Sequence, residues 1–360
     1  MTRMRITTER PGVAPLPTVD LTTSIGALEL PSPVLTASGC AGSGRELDQF
    51  VDITRLGAMV TKSVMMRPRA GRPTPRMSET PSGMLNSIGL QGPGIDAFIE
   101  NDLAWLRHRG ARAIVSIAGG TVDEYTKLAQ RLRNSDGVSA VEVNISCPNV
   151  ESRGQVFACD PVAAAGVVAA VRRATTPGVP VIVKLSPDVT DIVAVAHSVV
   201  TAGADALALI NTTLGMVIDA HTLRPVLAGT TGGLSGPAIR PMAVRCVYQV
   251  HAAMPHVPIC GMGGIRTGAD ALEFILAGAS TVSAGTVLFN DPSATARIER
   301  ELTIALAAAG FDRLVDAIGY AHRPQGPGEV AGDEQTAPHP EHPEVEDTDD
   351  FGPDVDALAQ

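Results

Sequence analysis

The chain has 360 residues, of which 44% are hydrophobic and only 3% aromatic, with 36 glycines and 27 prolines. An aliphatic core of this kind is typical of parallel strands that are buried on both faces. No stretch reaches the ~18 uninterrupted apolar residues of a membrane span, and the first residues lack the apolar segment of a secretory signal. We therefore expect a cytoplasmic protein with no membrane association, large enough for one large domain or two ordinary ones.

The formal net charge of −10 is concentrated at the C-terminal end. Residues 323–360 contain 11 acidic residues and one arginine, so the rest of the chain is neutral overall. This tail is rich in Pro, Asp and Glu, which is typical of disordered segments. We expect an N-terminal extension (1–18), a folded domain (19–322) and an acidic disordered tail (323–360). The folded part has no basic stripe that would indicate nucleic-acid binding.

The cysteines do not predict a metal site. No two of the five form a CxxC pair, and no cluster of Cys and His has the spacing of a zinc or iron–sulfur site. An odd number of cysteines in a cytosolic chain favours free thiols. We expect no metal here, and any iron–sulfur centre that the reaction needs must lie on another chain.

Eight short apolar runs follow one another along the chain, mostly separated by Ala-, Leu- and Arg-rich segments typical of helices. The predicted strands are 34–38, 58–64, 113–119, 140–146, 181–186, 206–211, 257–264 and 281–287. Eight strands alternating with helices predict an α/β fold, a closed (β/α)8 TIM barrel, here with a short N-terminal strand pair. An open doubly wound sheet is the alternative. It normally carries a GxGxxG turn after its first strand, and SGCAGSG at 38–44 does not match that spacing.

Two lysines lie within or at the end of apolar runs, Lys62 in AMVTKSV and Lys184 in VIVKLS. An unpaired ammonium ion is costly to bury in such a run. If only one of these lysines were present, it could simply reach the barrel rim or pair with a carboxylate. Two in one barrel favour cations that face an anionic ligand or a developing negative charge.

Glycine-rich turns follow the last two predicted strands, GMGGI at 261–265 and SAGT at 283–286. Barrels often bind a phosphate group at this position through backbone N–H groups, and glycine lets the backbone approach the oxygens closely. GGLSGPAIRP at 232–241 supplies a further glycine-rich loop. These turns predict a phosphorylated cofactor or substrate.

The motifs of this chain, and their order along it, resemble those of the class 1 dihydroorotate dehydrogenases, which are flavin enzymes of pyrimidine biosynthesis. The resemblance covers residues 19–320 and rests on ASG (37–39), TKS (61–63), RPTPRMSETPSGMLNSIGLQGPG (72–94), NISCPN (144–149), VKLSP (183–187), INT (210–212), GGLSGPAI (232–239), GMGG (261–264) and AGT (284–286). ETPSGMLNSIGLQGPG (79–94) is most similar to the NAD-linked subtype B. In that subtype the barrel subunit binds FMN and pairs with a subunit that carries FAD and a 2Fe–2S cluster.

The resemblance implies that Cys147 is the catalytic base. It would take a proton from carbon 5 of dihydroorotate while carbon 6 gives a hydride to the flavin. A free thiol has a pKa of about 8.5, so the thiolate is accessible at mildly alkaline pH. Residues 149–160 are polar enough to act as a lid over the substrate. A buried, inert Cys147 is the alternative.

The resemblance also implies two layers of binding residues. The substrate-binding positions are Lys62, Asn86, Ser87, Ile88, Gly89, Leu90, Asn144, Asn211 and Thr212. Amide side chains both donate and accept hydrogen bonds, which suits the alternating N–H and C=O groups of the substrate. The FMN-binding positions are Ser38, Lys62, Ser63, Ser116, Asn144, Lys184, Ile210, Gly236, Gly263, Gly264, Gly285 and Thr286. Of these, Lys184 is expected to stabilise negative charge on the reduced flavin.

Three positions depart from the family pattern. Ser116 stands where many relatives have an asparagine that contacts the flavin, and Arg72 and Gly92 replace asparagines common in subtype B. These departures weaken the subtype assignment more than the assignment of the reaction.

The leading hypothesis is a homodimeric enzyme that oxidises dihydroorotate to orotate in UMP biosynthesis and passes electrons to NAD+ through a partner subunit. Alternatives are a fumarate-linked homodimer, a related FMN barrel acting on another pyrimidine, a non-redox phosphate-binding barrel and an idle scaffold. The quinone-linked class is disfavoured, because it has a serine in place of Cys147 and an N-terminal membrane-associating extension that the first 20 residues do not provide.

Overall fold

A computed structural model describes residues 17–145 and 160–324. The chain divides into a unit of residues 1–322 and a second unit of residues 323–360. Cys147, almost all of the expected lid and the acidic tail from residue 325 onward lie outside the described residues. The predicted domain boundaries and the disorder of the tail therefore stay predictions.

The described residues contain sixteen strands. In chain order they are β1 (Thr23–Ile25), β2 (Leu28–Leu30), β3 (Val34–Thr36), β4 (Met59–Val60), β5 (Met77–Thr80), β6 (Gly83–Asn86), β7 (Ala113–Ile117), β8 (Val138–Asn144), β9 (Val181–Leu185), β10 (Ala206–Leu209), β11 (Thr213–Gly215), β12 (Ile218–Asp219), β13 (Arg224–Pro225), β14 (Gly232–Ser235), β15 (Ile259–Met262) and β16 (Thr281–Ala284).

Helices follow most strands of the barrel. Among the described residues they are α1 (Ile95–Ala97), α2 (Ala104–Arg109), α3 (Val122–Arg133), α4 (Pro161–Ala174), α5 (Ile192–Thr201), α6 (Arg240–Ala253), α7 (Gly268–Ala277), α8 (Ala294–Ala308) and α9 (Leu314–Ala317). A π-helical segment, Phe98–Leu103, joins α1 to α2. Shorter 3-10 turns are Leu47–Gln49, Pro237–Ile239, Thr286–Phe289 and Tyr320–His322. None of the helices within the described ranges has both the length and the apolarity to cross a membrane.

Eight parallel strands form the barrel, in the spatial order β3-β16-β15-β10-β9-β8-β7-β4. Each of the eight predicted strands overlaps one of them, so the predicted (β/α)8 barrel is confirmed and the open doubly wound sheet is excluded. The predicted strands extend too far at their carboxyl ends. Residues 58–64 contribute only Met59–Val60, because beyond them the chain leaves the ladder and the Lys62 N–H donates to the Gly42 carbonyl at 3.0 Å.

The side chain of Thr36 closes the barrel between β3 and β4. Within the described residues no backbone ladder joins these two strands. Instead, the Val60 N–H donates to Thr36 Oγ1 at 3.0 Å, and Thr36 Oγ1 lies 3.3 Å from the Val60 carbonyl oxygen. Both residues are buried, so one hydroxyl satisfies main-chain groups that would otherwise be unpaired inside the protein.

The barrel interior is an aliphatic cluster closed at its amino end by the hairpin β1–β2. One alternating face of the strands supplies Leu35, Val60, Ile114, Ala140, Ile182, Ala206, Ala208, Cys260 and Met262. The fully buried Ile25 and Leu30 of the hairpin belong to the same cluster. Thr23 Oγ1 ties the hairpin to the carbonyl of Ser280, just before β16, at 2.9 Å. The predicted N-terminal strand pair is confirmed.

A second sheet lies beside the carboxyl ends of the barrel strands. It contains β11, β14, β6 and β5 in that order, all antiparallel. The sequence did not predict this sheet. It matters here because β6 and β14 carry residues that line the cavity described next.

Candidate active site

A cavity of about 900 Å³ opens where the barrel strands end at their carboxyl side. Its volume is at the upper end of the range usual for small-molecule sites. Every predicted site residue within the described chain lines it except Ser87 and Ser116. The structure therefore brings together residues as far apart in the sequence as Ser38 and Thr286.

The floor of the cavity is a hydrogen-bonded group of hydroxyls and an amide. Asn144 Nδ2 donates to Ser63 Oγ at 3.0 Å, and the hydroxyls of Ser38 and Ser63 lie 3.3 Å apart. Ser116 lies behind this layer and is fully buried. Its hydroxyl is 2.8 Å from Ser63 Oγ and donates to Glu142 Oε1 at 2.9 Å. Ser116 thus supports the cavity floor from below.

Lys184 reaches the same floor from β9. The residue is only 4% exposed and lines the cavity, and its ammonium group forms no hydrogen bond or ion pair with any described residue. Burying a cation without a partner is costly. The arrangement therefore fits a ligand that brings negative charge, or a polar ring, against this ammonium group.

Three glycine-containing loops converge at another end of the cavity. Thr286 Oγ1 donates to Ser235 Oγ at 2.8 Å, which joins the loops that follow β16 and β14. A Cβ on Gly264 would lie 2.7 Å from the Gly236 carbonyl oxygen, and Gly263 and Gly264 both have positive φ, +130° and +81°. Only glycine allows backbones to approach this closely. The exposed N–H groups of such loops suit a phosphate group.

The second sheet brings Asn86 and Thr212 to the cavity. Asn86 on β6 pairs with Gly233 on β14, and its Nδ2 donates to the Gly233 carbonyl at 3.3 Å. A Cβ at Gly233 would clash with the side chain of Thr212. The neighbouring Asn211 also lines the cavity, and its Oδ1 accepts from the Thr212 N–H at 2.9 Å.

Three arginines hold the loop of residues 87–91 against the cavity. Bonds run from Arg69 Nε to the Gly89 carbonyl at 2.9 Å, from Arg72 Nη1 to Ser87 Oγ at 3.1 Å, and from Arg76 Nη1 to Gln91 Oε1 at 2.7 Å. The loop carries strain, because Leu90 has a φ of +55°, in a region that side-chain-bearing residues rarely adopt. The arginines hold Ile88, Gly89 and Leu90 along the cavity wall while Ser87 is buried behind it.

Lys62 and Arg76 place two cations near this loop. Burial lowers the pKa of Lys62 below its ordinary value of 10.5, and the positive charge of Arg76 lowers it further. The guanidinium of Arg76 donates to two neutral acceptors, Gln91 Oε1 and the Ala70 carbonyl. Its charge is therefore not neutralised there, and this end of the cavity favours an anionic group.

Cys40 is the one cysteine among the described residues that lines the cavity. Burial raises the pKa of its thiol to about 11, although the charge of Lys184 opposes that change. Cys40 is therefore a neutral thiol at physiological pH and is unsuited to act as a base. Burial also raises the pKa of Cys246 and of Cys260, which do not line the cavity.

A family model described as dihydroorotate dehydrogenase matches residues 20–306. The chain belongs to the dihydroorotate dehydrogenase family. Members of this family are oxidoreductases that use a flavin. This membership removes the non-redox phosphate-binding barrel that the sequence pattern had left open.

Relatives of high similarity cover nearly the whole barrel. Each of the following is named dihydroorotate dehydrogenase B (NAD(+)), catalytic subunit. The protein of Geotalea daltonii is 52% identical over 300 residues, 83% of this chain and 97% of the relative. The protein of Geobacter sulfurreducens is 52% identical with the same coverage. That of Desulforamulus reducens is 49% identical over 304 residues, 84% of this chain and 99% of the relative.

Sequence reasoning missed several residues at this dihydroorotate dehydrogenase site. Cys40 and Ser235 lie within the glycine-rich motifs SGCAGSG and GGLSGP, in which the glycines carry the signal and the cysteine and serine carry none of their own. Arg76 carried no signal, because a loop arginine is common. Glu142 did carry one, since it lies in the apolar run AVEVN as Lys184 lies in VIVKLS. Among the described residues no group of His, Cys, Asp and Glu could hold a metal ion.

Proposed function

We propose that this chain is the FMN-binding catalytic subunit of a dihydroorotate dehydrogenase. It oxidises dihydroorotate to orotate and passes the electrons to NAD+ through a partner subunit that carries FAD and a 2Fe–2S cluster. The observation that carries the proposal is Lys184, which is only 4% exposed. Its ammonium group has no hydrogen bond or ion pair with a described residue, and Lys184 lines a cavity together with most of the other predicted flavin and substrate residues. The NAD+-linked names of the relatives support the choice of electron acceptor.

The cavity residues fit FMN. The loops around Gly236, Gly264 and Thr286 lie close together at one end of the cavity, where glycines permit tight backbone contacts. Backbone N–H groups of glycine-containing loops of this kind can hold a phosphate group. Ser38, Ser63 and Asn144 offer hydroxyl and amide groups on the floor, beside Lys184. When bound there, FMN would supply a two-electron acceptor for the hydride of the substrate.

The opposite wall of the cavity fits dihydroorotate better than a neutral pyrimidine. Asn86 and Asn211 on this wall, together with Asn144 on the floor, supply amides for the ring N–H and C=O groups. Lys62 and Arg76 add two positive charges where the loop of residues 87–91 borders the cavity. A substrate carboxylate would find favourable charge there, whereas an uncharged ring would gain nothing from it.

We assign the proton transfer to Cys147, which lies outside the described residues. Its thiolate takes the proton from carbon 5 of dihydroorotate, and the hydride leaves carbon 6, so the carbon–carbon double bond of orotate forms without loss of any other group. The neutral thiol of Cys40, with a pKa of about 11, supports this assignment, because the described cavity offers no second cysteine for the role.

The proposal is tested by anaerobic mixing of the purified chain with dihydroorotate or with dihydrouracil, which lacks the carboxylate. We expect a yellow protein that releases FMN, whose visible absorbance is bleached by dihydroorotate as orotate appears. Dihydrouracil should bleach it far more slowly. Absence of FMN from the purified chain, or faster bleaching by dihydrouracil, would contradict the proposal.

A further inference from the structure

Glu142 is a buried carboxylate inside the barrel to which the proposed reaction gives no role. It lies on β8, is 2% exposed and pairs in register with Ser116 on β7. Like Ala140, two positions earlier on the same strand, it faces the barrel interior. Its carboxylate accepts a hydrogen bond from Ser116 Oγ at 2.9 Å and forms no ion pair with any described residue. Burying a carboxylate without a charged partner costs free energy of folding.

The carboxylate sets the direction of the hydrogen bonds beneath the cavity. An ionised carboxyl group only accepts, so the single hydroxyl proton of Ser116 points to Glu142. Ser63, 2.8 Å from Ser116, must then donate to it, and Ser38, 3.3 Å from Ser63, must donate to Ser63. The hydroxyl of Ser38 therefore meets a bound ligand only as an acceptor.

Glu142 also shares the barrel interior with Lys184. The two residues lie on neighbouring strands, where Asn144 and not Glu142 is the register partner of Lys184, so the lysine is one layer closer to the cavity. Both charges act on the buried thiol of Cys260, whose pKa is raised by burial and by Glu142 and lowered by Lys184. The carboxylate thus offsets part of the charge of Lys184 without contacting it directly.

We propose that Glu142 is a positioning residue of the cofactor site, which lowers the reduction potential of the bound flavin by offsetting Lys184 and orients the hydroxyls of Ser63 and Ser38 through Ser116. The inference rests on the proposed function, because it requires FMN on the cavity floor. It adds a residue that does not touch the cavity and acts through its neighbours.

The direction in which Glu142 shifts the reduction potential of the flavin follows from charge balance. A hydride carries two electrons and one proton, so its transfer from dihydroorotate adds one negative charge at the cofactor. Lys184 stabilises that added charge, whereas Glu142 opposes it. Removing the carboxylate therefore favours the reduced state, and removing the ammonium group disfavours it.

The test is the midpoint potential of bound FMN, measured by reductive titration against a reference dye and without dihydroorotate. Glu142→Gln keeps the shape of the side chain and removes the charge. We expect its potential to rise by about 30 mV, the equivalent of about tenfold in the equilibrium constant of a two-electron couple. Ser116→Ala keeps the charge and breaks the hydrogen-bond chain. It should weaken FMN binding, with a smaller change in potential than Glu142→Gln.

Glu142→Gln could prevent folding because the charge of Lys184 is then no longer offset. In that case the same substitution is made in the Lys184→Gln protein, which lacks that charge. Lys184→Gln should lower the potential, and the double variant, which has neither buried charge, should lie above Lys184→Gln. An unchanged or lower potential on removing Glu142 from both backgrounds would overturn the inference, since a merely structural residue would weaken FMN binding without moving the potential. A wild-type chain that binds no FMN would instead refute the proposed function.

Discussion

At the scale of single residues, the two lysines of the cavity have different surroundings and should have different roles. Lys184 is 4% exposed and lies on the floor beside the hydroxyls and Asn144. Lys62 is half-buried, and its pKa is lowered by burial and by Arg76. A lysine with a lowered pKa gives up its proton more readily than usual unless an anion binds beside it. We therefore infer that binding of the substrate carboxylate keeps Lys62 protonated.

The affinity for orotate should depend on the protonation of Lys62. Binding of the carboxylate favours the ammonium form, so affinity is fully present below the pKa of Lys62 and falls as the pH rises through it. Because that pKa is lowered from 10.5, the fall should begin below the range of an ordinary lysine. The dissociation constant, followed through the flavin spectrum from about pH 7 to about pH 10, measures it.

Two variants control for other groups that titrate in this range. Lys62→Met should bind orotate weakly and lack this fall in affinity. Arg76→Gln removes the nearby positive charge, so the fall should shift to higher pH. An equally steep fall in Lys62→Met would show that another group is responsible.

At the scale of elements, the second sheet positions the substrate residues through Gly233. This glycine on β14 pairs with Asn86 on β6 and contacts the side chain of Thr212. Two predicted substrate residues from distant parts of the chain thus meet at one position without a side chain. The conformation of the sheet and the shape of the substrate wall are therefore linked.

Gly233→Ala should displace Thr212 and weaken orotate binding about tenfold or more, since overpacking typically costs ~1–3 kcal/mol. The flavin spectrum should remain that of the wild type, because the cofactor floor lies on other elements. Gly92→Ala is a matched control in the same region, where an added Cβ would meet nothing within 4 Å. Equal orotate affinity in Gly233→Ala and Gly92→Ala would contradict this role.

The seam between β3 and β4, where the Thr36 hydroxyl meets the main chain of Val60, should contribute to the stability of the fold. Thr36→Val removes the hydroxyl that accepts from the Val60 N–H and leaves that buried donor unpaired. We expect a loss of ~1–3 kcal/mol in the free energy of unfolding, measured by denaturant titration of the flavin-free protein.

Thr295→Val is the matched comparison for the seam. Thr295 is fully buried, and its hydroxyl has no hydrogen-bond partner, so the same substitution there should be neutral or stabilising. Equal losses of stability at the two positions would show that the hydroxyl of Thr36 does not hold the seam.

The sequence predicted the barrel elements well because each barrel strand is a local run of β-branched and aliphatic residues. The second sheet escaped prediction for the opposite reason. Its strands are short and half-exposed, and β6 pairs with β14, almost 150 residues away in the chain. Among site residues, glycines and lysines stood out against apolar surroundings. Arg76 acts through long-range charge and so could not be inferred from local pattern.

At the scale of the whole molecule, the identity of the electron acceptor determines whether the enzyme needs a second subunit. The described residues offer no group that could hold a metal, and the relatives are named as catalytic subunits. In the proposed function, the electrons that leave FMN pass to another protein, with a small soluble acceptor as the alternative. We predict a homodimer whose isolated form reduces artificial dyes with dihydroorotate but reduces NAD+ poorly.

Adding an FAD and iron–sulfur subunit should restore NAD+ reduction without changing the rate at which dihydroorotate reduces the flavin. Steady-state assays with NAD+, fumarate and a dye, with and without the second subunit, separate these steps. Efficient NAD+ reduction by the isolated chain would refute the need for a partner. Rapid turnover with fumarate alone would favour the fumarate-linked homodimer.

The most direct test of the central claim is the rate at which dihydroorotate bleaches bound FMN in wild type, Cys147→Ala and Cys40→Ala under anaerobic conditions. Cys147→Ala should retain FMN yet reduce it ~10²–10⁴-fold more slowly, the usual contribution of a general base. Cys40→Ala should remain close to wild type, because its thiol, with a pKa of about 11, is neutral. Bleaching of Cys147→Ala at the wild-type rate would contradict the account.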